Sequence, residues 1–277
     1  MTDSGGNADD DKTNFAAFER AGWARRSATY DSGFGALTAG VHRALLDAAM
    51  IGPGVRLLEV GCGPGRLATA ACALGADVVA SDAAESMVSA ALALGLLVVC
   101  AALPDLAFCE GAFDAVVGAF VVNHVTDPQA AVAELARVTR NGGAIALSCW
   151  ETAERNRALG IFLDALGAAK APRPISAPAG SPFAEDATAE GFAALLRRSG
   201  LRNVRVDEVT WTHRVDPERW WRDVLSGTVL TSALIEEQSS DMLSRIRGAY
   251  DEFAGEYLAS ENVVELPAAA LVAVGVA

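Results

Sequence analysis

Apolar and polar positions along the chain fall into short runs with two alternating periods. Residues 55–60 form an apolar run carrying one acid, Glu59, near its end, and glycines follow at alternate positions, Gly61, Gly63 and Gly65. An Ala-rich run comes next, then a second short apolar run closing on Asp82. This order predicts strand, Gly-rich turn, helix and strand, a parallel βαβ unit. The alternation continues downstream. Residues 83–93 read as a helix stopped by Gly95, 96–101 as a buried strand, and 113–117 as a further strand running out through Gly118, Ala119 and Phe120. Asp127 caps a helix over 127–137 with Pro128 at its first position, and a turn at 140–143 leads into a strand over 144–150.

The flanks carry their own patterns. Residues 1–13 are rich in Asp, Gly and Asn and read as a disordered tail. A helix is expected over 14–26, a looser stretch over 28–34, and an amphipathic helix over 37–50 closed by Gly52 and Pro53. Beyond Trp150, residues 151–170 are helical in pattern, and a loop over 171–182 holds Pro172, Pro174, Pro178 and Pro182. A helix over 188–199 stopped by Gly200 and a strand over 204–212 follow. Residues 217–258 then read as a helical insertion before a last strand over 263–276. No internal repeat and no second core is visible, so 14–277 reads as one domain. It comprises N-terminal helices (14–50), a half with the glycine turn (51–150) and a half with the inserted helices (151–277).

Composition narrows the partners. The 277 residues are 52% hydrophobic and 21% charged, a globular balance. A net charge of −13 disfavours nucleic acid and anionic membrane surfaces and favours a small-molecule substrate. The five cysteines and three histidines show no metal-ligand spacing, and no signal peptide leads the chain, which reads as a reduced, cytoplasmic protein without a metal. The uncharged run 87–104 is long enough to suggest a membrane span. Gly95 divides it into helix and strand, so no insertion is expected. Its apolar helix makes 87–103 the expected surface for any homo-oligomer.

The glycine turn carries the chemistry. Glycines admit close backbone approach and positive φ, the helix start near Pro64 offers unpaired N–H groups, and an acid ending the next strand can accept both hydroxyls of a ribose. A dinucleotide fingerprint needs glycine at 66, where Arg66 stands. The pattern Glu59-x-Gly61-x-Gly63-x-Gly65 with Asp82 instead resembles the first motif of the class I S-adenosylmethionine-dependent methyltransferases. The turn Arg140-Asn141-Gly142-Gly143 is similar to the ubiquinone- and menaquinone-biosynthesis-like branch, and the resemblance covers most of 23–150.

That resemblance implies a Rossmann-like, mostly parallel seven-stranded sheet with helices on both faces, an antiparallel edge strand and a helical cap over the site. It makes 14–50 a helical lid, 51–150 a cofactor-binding half and 151–277 a half with the helical cap. It implies S-adenosylmethionine as cofactor, leaving as S-adenosylhomocysteine, held by Tyr30, Glu59, Gly61, Gly63, Gly65, Asp82, Ala83, Met87, Ala102, Leu103, Ala119 and Phe120. Many relatives carry an acid where Ala102 stands. His124, at the exit of the fourth strand, is the candidate general base. Trp23, Phe34, Asn123, Trp150 and Trp220 are candidates for the substrate pocket, with ordinary helix packing as the alternative for the aromatic rings. The expected activity is methyl transfer to O, N or C of a small, apolar or aromatic metabolite, as in natural-product pathways. The alternatives are a cyclase or pericyclase that binds the cofactor non-catalytically, and a degenerate partner subunit.

Overall fold

The computed structural model describes the backbone from Gly5 to Ala277 and side chains from Asn14 onward. The central strands are β1 (Arg56–Val60), β2 (Asp77–Asp82), β3 (Leu97–Cys100), β4 (Phe113–Gly118), β5 (Thr139–Trp150), β6 (Arg202–Val215), β7 (Leu258–Ser260) and β8 (Val263–Val276). They form one sheet in the order β3-β2-β1-β4-β5-β8-β6, with β7 paired to β8. The pairings from β3 across to β5 are parallel, whereas β8 runs antiparallel to both β5 and β6. The reversed strand therefore lies inside the sheet, between β5 and β6, and not at the edge where the sequence reading had put it.

Strand residues alternate between two cores, as period-two pleating requires. Leu58, Val60, Val116, Ile145 and Leu147 face one side, under α7 (Pro128–Val138) and α9 (Ala189–Arg198). Leu57, Ala115, Val117, Ala144 and Ala146 face the other, with Leu45 and Leu46 from α4 (His42–Ala48) and Leu67 and Ala71 from α5 (Arg66–Ala73). Asp127 accepts a hydrogen bond from the Ala130 amide and Pro128 opens α7, as the sequence predicts. The Arg140–Gly143 turn is drawn into β5 as an irregularity: pairing with β4 shifts between Phe113 and Ala115. Its last carbonyl is tied down, Gly143 accepting from the Ala277 amide at 3.0 Å.

The uncharged 87–104 run divides as its Gly95 foretells, into α6 (Glu85–Ala93) and β3, and no helix among the described residues is long and apolar enough to cross a membrane. Leu92, Leu94 and Leu97 stand exposed along this edge. The N-terminal helix α1 (Gly5–Ala24) begins inside the stretch expected to be disordered, while residues 1–4 lie outside those described. The 14–50 region continues through α2 (Ser27–Tyr30), α3 (Phe34–Thr38), a short 3-10 turn and α4.

The insertion folds as α10 (Pro217–Gly227), α11 (Leu230–Glu236) and α12 (Ser240–Gly255), packed on α8 (Arg157–Ala168). Trp220, Phe162, Tyr250 and Ile246 are buried in that layer. Trp220 donates its indole N–H to the Ala158 carbonyl at 2.8 Å, and Tyr250 donates to Pro217 O at 2.8 Å, so both polar tips are satisfied. The insertion grips the N-terminal helices. The buried Arg26 guanidinium donates to Thr228 O and Ser232 Oγ, and Thr29 Oγ1 donates to Ser226 O at 2.7 Å.

Candidate active site

β1 ends at Val60, and the chain turns through Gly61 (φ +64°) and Gly63 (φ +53°), conformations that a side chain would strain. At Gly61 a Cβ would also sit 2.6 Å from Val121 Cγ2, so this turn and the segment after β4 meet backbone to side chain. At Gly63 a Cβ would meet nothing within 4 Å; the space it leaves clear borders a cleft. Asp82, at the end of β2, is the loop's organiser. Its Oδ2 accepts from the Gly63 amide at 2.8 Å and its Oδ1 from the Ala84 amide at 2.9 Å. Burial raises its pKa above the usual carboxylate value, opposed by those backbone donors. A carboxylate has about four acceptor positions, so these backbone donors do not exhaust its capacity to accept from a ligand.

Two motif residues point elsewhere. The Glu59 carboxyl is buried in the core and does not reach the cleft; it accepts from the Ala68 amide in the first turn of α5, and burial drives its pKa well above the ordinary value. It caps a helix from beneath and supports the loop at one remove. Gly65 is the N-cap of α5 at φ +93°, and a Cβ there would meet Leu96 Cδ1 at 2.3 Å. Its glycine is required by packing, and the residue does not line the cleft.

The cleft encloses about 240 Å3 at the carboxyl ends of β1, β2 and β4. Gly61, Gly63, Asp82, Ala83, Met87, Ala102, Leu103, Ala119 and Phe120 all line it, together with Tyr30, Trp23, Phe34, Trp150 and His124. Most of the residues singled out from the sequence thus line one cleft. Beside Ala102 no acid replaces the missing one: Asp105 donates its amide to Ala102 O at 2.9 Å but is absent from the cleft wall. Phe120 takes φ +56°, unusual for a non-glycine residue, and its amide is held by Ser148 Oγ at 3.1 Å. That backbone turn lays its ring on Trp150, with centroids 3.8 Å apart and planes 19° apart.

The opposite wall comes from the N-terminal helices. Trp23, Tyr30 and Phe34 pack in sequence, 5.8 Å and 5.9 Å between successive ring centroids. The Tyr30 hydroxyl lies 3.2 Å from Thr38 Oγ1, and burial pushes its pKa up to about 12. His124 sits in the 3-10 turn after β4, with Nδ1 2.9 Å from Glu19 Oε2 and Nε2 2.9 Å from Asn123 Nδ2. Asn123 itself is not part of the cleft wall; its amide meets Nε2 of the imidazole, which does line it.

Trp220 was expected in the pocket and is core: it is fully buried, stacked on Phe34 at 6.0 Å, and contributes nothing to the wall. No residue beyond Trp150 lines the cleft, so the insertion braces the N-terminal helices and does not cover the site. Glu19, Arg20 and Thr38 line it and escaped the sequence reading. The one local signal for Glu19 is Trp23 four residues on, on the same helical face, where its indole N–H donates to Glu19 Oε2 at 2.9 Å. Among the described residues no cluster of His, Cys, Asp or Glu could hold a metal.

A Rossmann-like sheet with a ligand cleft at a glycine turn, an acid at the end of β2 and no dinucleotide fingerprint defines a nucleoside-cofactor enzyme of the methyltransferase class. Comparison with known proteins agrees. Residues 58–147 match the family model described as "Methyltransferase domain". The chain is 31% identical over 186 residues to a demethylmenaquinone methyltransferase of Mycobacterium sp. (strain KMS), covering 67% of this chain and 78% of that protein. A demethylmenaquinone methyltransferase of Beutenbergia cavernae is 30% identical over 179 residues, 61% of this chain and 75% of that one. Among solved structures, YcgJ of Bacillus subtilis superposes with a TM-score of 0.56 at 18% identity, over 85% of this chain and 97% of that one. A protein of Anabaena variabilis also gives 0.56, at 14% identity, over 84% and 95%. The chain belongs to the class I S-adenosylmethionine-dependent methyltransferases of the ubiquinone/menaquinone type.

Proposed function

We propose that the enzyme methylates a small, planar aromatic acceptor bearing an ionisable hydroxyl, with His124 accepting the proton. The observation that carries this reading is the wall chemistry. Trp23, Tyr30, Phe34, Phe120 and Trp150 offer aromatic surface on both sides of the cleft, and His124 is the one imidazole among them. Stacked and edge-on rings favour a flat apolar guest. The relatives named for demethylmenaquinone make a quinol-type ring the first acceptor class to test.

The residues fit the cofactor their family uses. Asp82 has acceptor positions free for a ribose, Gly61 and Gly63 keep the backbone open beside it, and Met87, Ala102 and Leu103 supply an apolar seat for a purine. Backbone around Ala119 and Phe120 borders the methionine end. When bound, S-adenosylmethionine supplies a methyl group made electrophilic by its sulfonium. The chain's own work is to hold the acceptor in line with that methyl, exclude water with α1, and take up a proton at the imidazole of His124.

The test is transfer of labelled methyl to a panel of hydroxylated naphthoquinols and phenols set against aliphatic amines and alcohols. Aromatic acceptors are expected to turn over, and His124→Ala is expected to lower turnover by about a hundredfold while binding S-adenosylhomocysteine unchanged. Methylation confined to aliphatic amines would overturn the acceptor class, and full turnover in His124→Ala would remove the base.

A further inference from the structure

We propose that Glu19 is a positioning residue that fixes the tautomer of His124, so that the proton acceptor exists only while helix α1 lies on the core. The inference rests on the reading of His124 as the base. Its foundation is the set of contacts around one imidazole. Glu19 Oε2 lies 2.9 Å from His124 Nδ1 and also accepts from Trp23 Nε1 at 2.9 Å. A carboxylate only accepts, so a neutral imidazole in this place carries its proton on Nδ1 and its lone pair on Nε2. The Nε2 lone pair is met by the Asn123 amide at 2.9 Å. Trp23 closes the arrangement, its ring edge-on to the imidazole at 5.0 Å and 88°.

Asn123 marks the place of a substrate donor. Its Nδ2 presents an N–H to Nε2 as an acceptor's hydroxyl would, and its own Oδ1 is buried without a partner. The amide is therefore held through one end only, and a stronger donor in the cleft can displace it. When such a hydroxyl gives its proton to Nε2, the O–H electron pair stays on the acceptor oxygen and becomes the nucleophile. The ring becomes a cation, and its Nδ1–H bond to the Glu19 carboxylate then carries opposite charge on both partners, which strengthens it.

Glu19 and His124 are 105 positions apart and lie on different elements, the N-terminal helix and the 3-10 turn after β4. Ala16, Glu19, Arg20 and Trp23 of that helix line the cleft, so the movement that shuts out water also delivers the carboxylate. With α1 displaced, Nδ1 loses its acceptor; the Asn123 amide, whose Oδ1 has no partner, can then turn that oxygen to the ring, and Nε2 carries N–H in part of the molecules. The other charged groups near the ring stay in place whatever stands at 19: Asp82, whose carboxyl senses the imidazole, and Arg20 along the cleft.

The experiment compares the full-length chain with Glu19→Ala and Glu19→Gln. Three readouts are taken: 15N spectra of the His124 side chain without cofactor, steady-state kinetics, and calorimetric affinity for S-adenosylhomocysteine. The N-terminal helices remain anchored in both variants through Arg26 and Thr29, whose hydrogen bonds go to Thr228, Ser232 and Ser226 and not to residue 19. The wild type is expected to show the Nδ1–H form and Glu19→Ala a mixture. Glu19→Ala is also expected to lose about tenfold or more in kcat, with KM and product affinity within about twofold. Glu19→Gln keeps an accepting oxygen and is expected to keep the tautomer and recover part of kcat. An unchanged tautomer or unchanged kcat in Glu19→Ala overturns the proposal. So does a loss of kcat matched by an equal loss of product affinity, because Glu19 would then only pin the lid. The tautomer spectra need neither cofactor nor acceptor, so they test Glu19 even if the methyl-acceptor reading fails.

Discussion

Asp82 answers two demands with one carboxylate. It ties the glycine turn to the start of the next helix through the Gly63 and Ala84 amides, and it faces the cleft with its remaining lone pairs. Removing it takes away a charged acceptor and frees two backbone donors at once. Asp82→Ala is expected to weaken S-adenosylmethionine binding by about 1.5–3 kcal/mol, read by calorimetry; unchanged affinity would remove the ribose assignment. Glu59 shows the limit of a motif read residue by residue. Its place in the pattern is right, yet its carboxyl turns into the core to hold the Ala68 amide. Spacing along the chain gives the position of a side chain and leaves its direction open. Glu19 lies beyond such reading altogether, since the partner that makes it functional is 105 residues away.

At the scale of elements, the β6–α10 contact carries a pH signature. His213 on β6 packs against Trp220 at 4.4 Å, with its Nε2 buried and unpartnered. Burial, assisted by Arg219, pushes its pKa down from 6.5 to about 4. The unfolded chain therefore binds more protons than the folded one between those values. The stabilisation is complete above pH 6.5 and is lost as pH falls through about 4. His42, also at about 4, acts in the same direction, while the raised pKa of Glu59 acts in the opposite one. The difference between wild type and His213→Phe is thus the observable. Thermal melts from pH 7 to 4 are expected to show a shallower fall in Tm for the variant; parallel curves would contradict the assignment.

Helix and strand positions from 55 to 150 were legible because glycines, caps and apolar runs act locally. The inserted helices were legible as helices, but not in their use. Adjacent Trp220 and Trp221 give no sign of which face meets the core, and only the folded chain shows Trp220 bonded to Ala158 O, far from the cleft wall.

For the whole molecule, strand order decides where chemistry can occur. Parallel strands β1, β2 and β4 end on one side, and the chain reverses direction of travel between β1 and β4, which opens the crevice that the glycine turn borders. The reversed β8 and the helices inserted before it lie away from that crevice and brace the N-terminal lid through Arg26. The cleft is walled by residues up to Trp150, and the carboxyl-terminal half supports the N-terminal helices that form one side of it. This cleft is expected to hold S-adenosylmethionine. The most direct measurement is calorimetric titration of the purified chain with S-adenosylmethionine, S-adenosylhomocysteine and NAD. Binding of the first two at about micromolar Kd, with no heat from NAD, is the predicted result. Binding of NAD, or of none of the three, would contradict it.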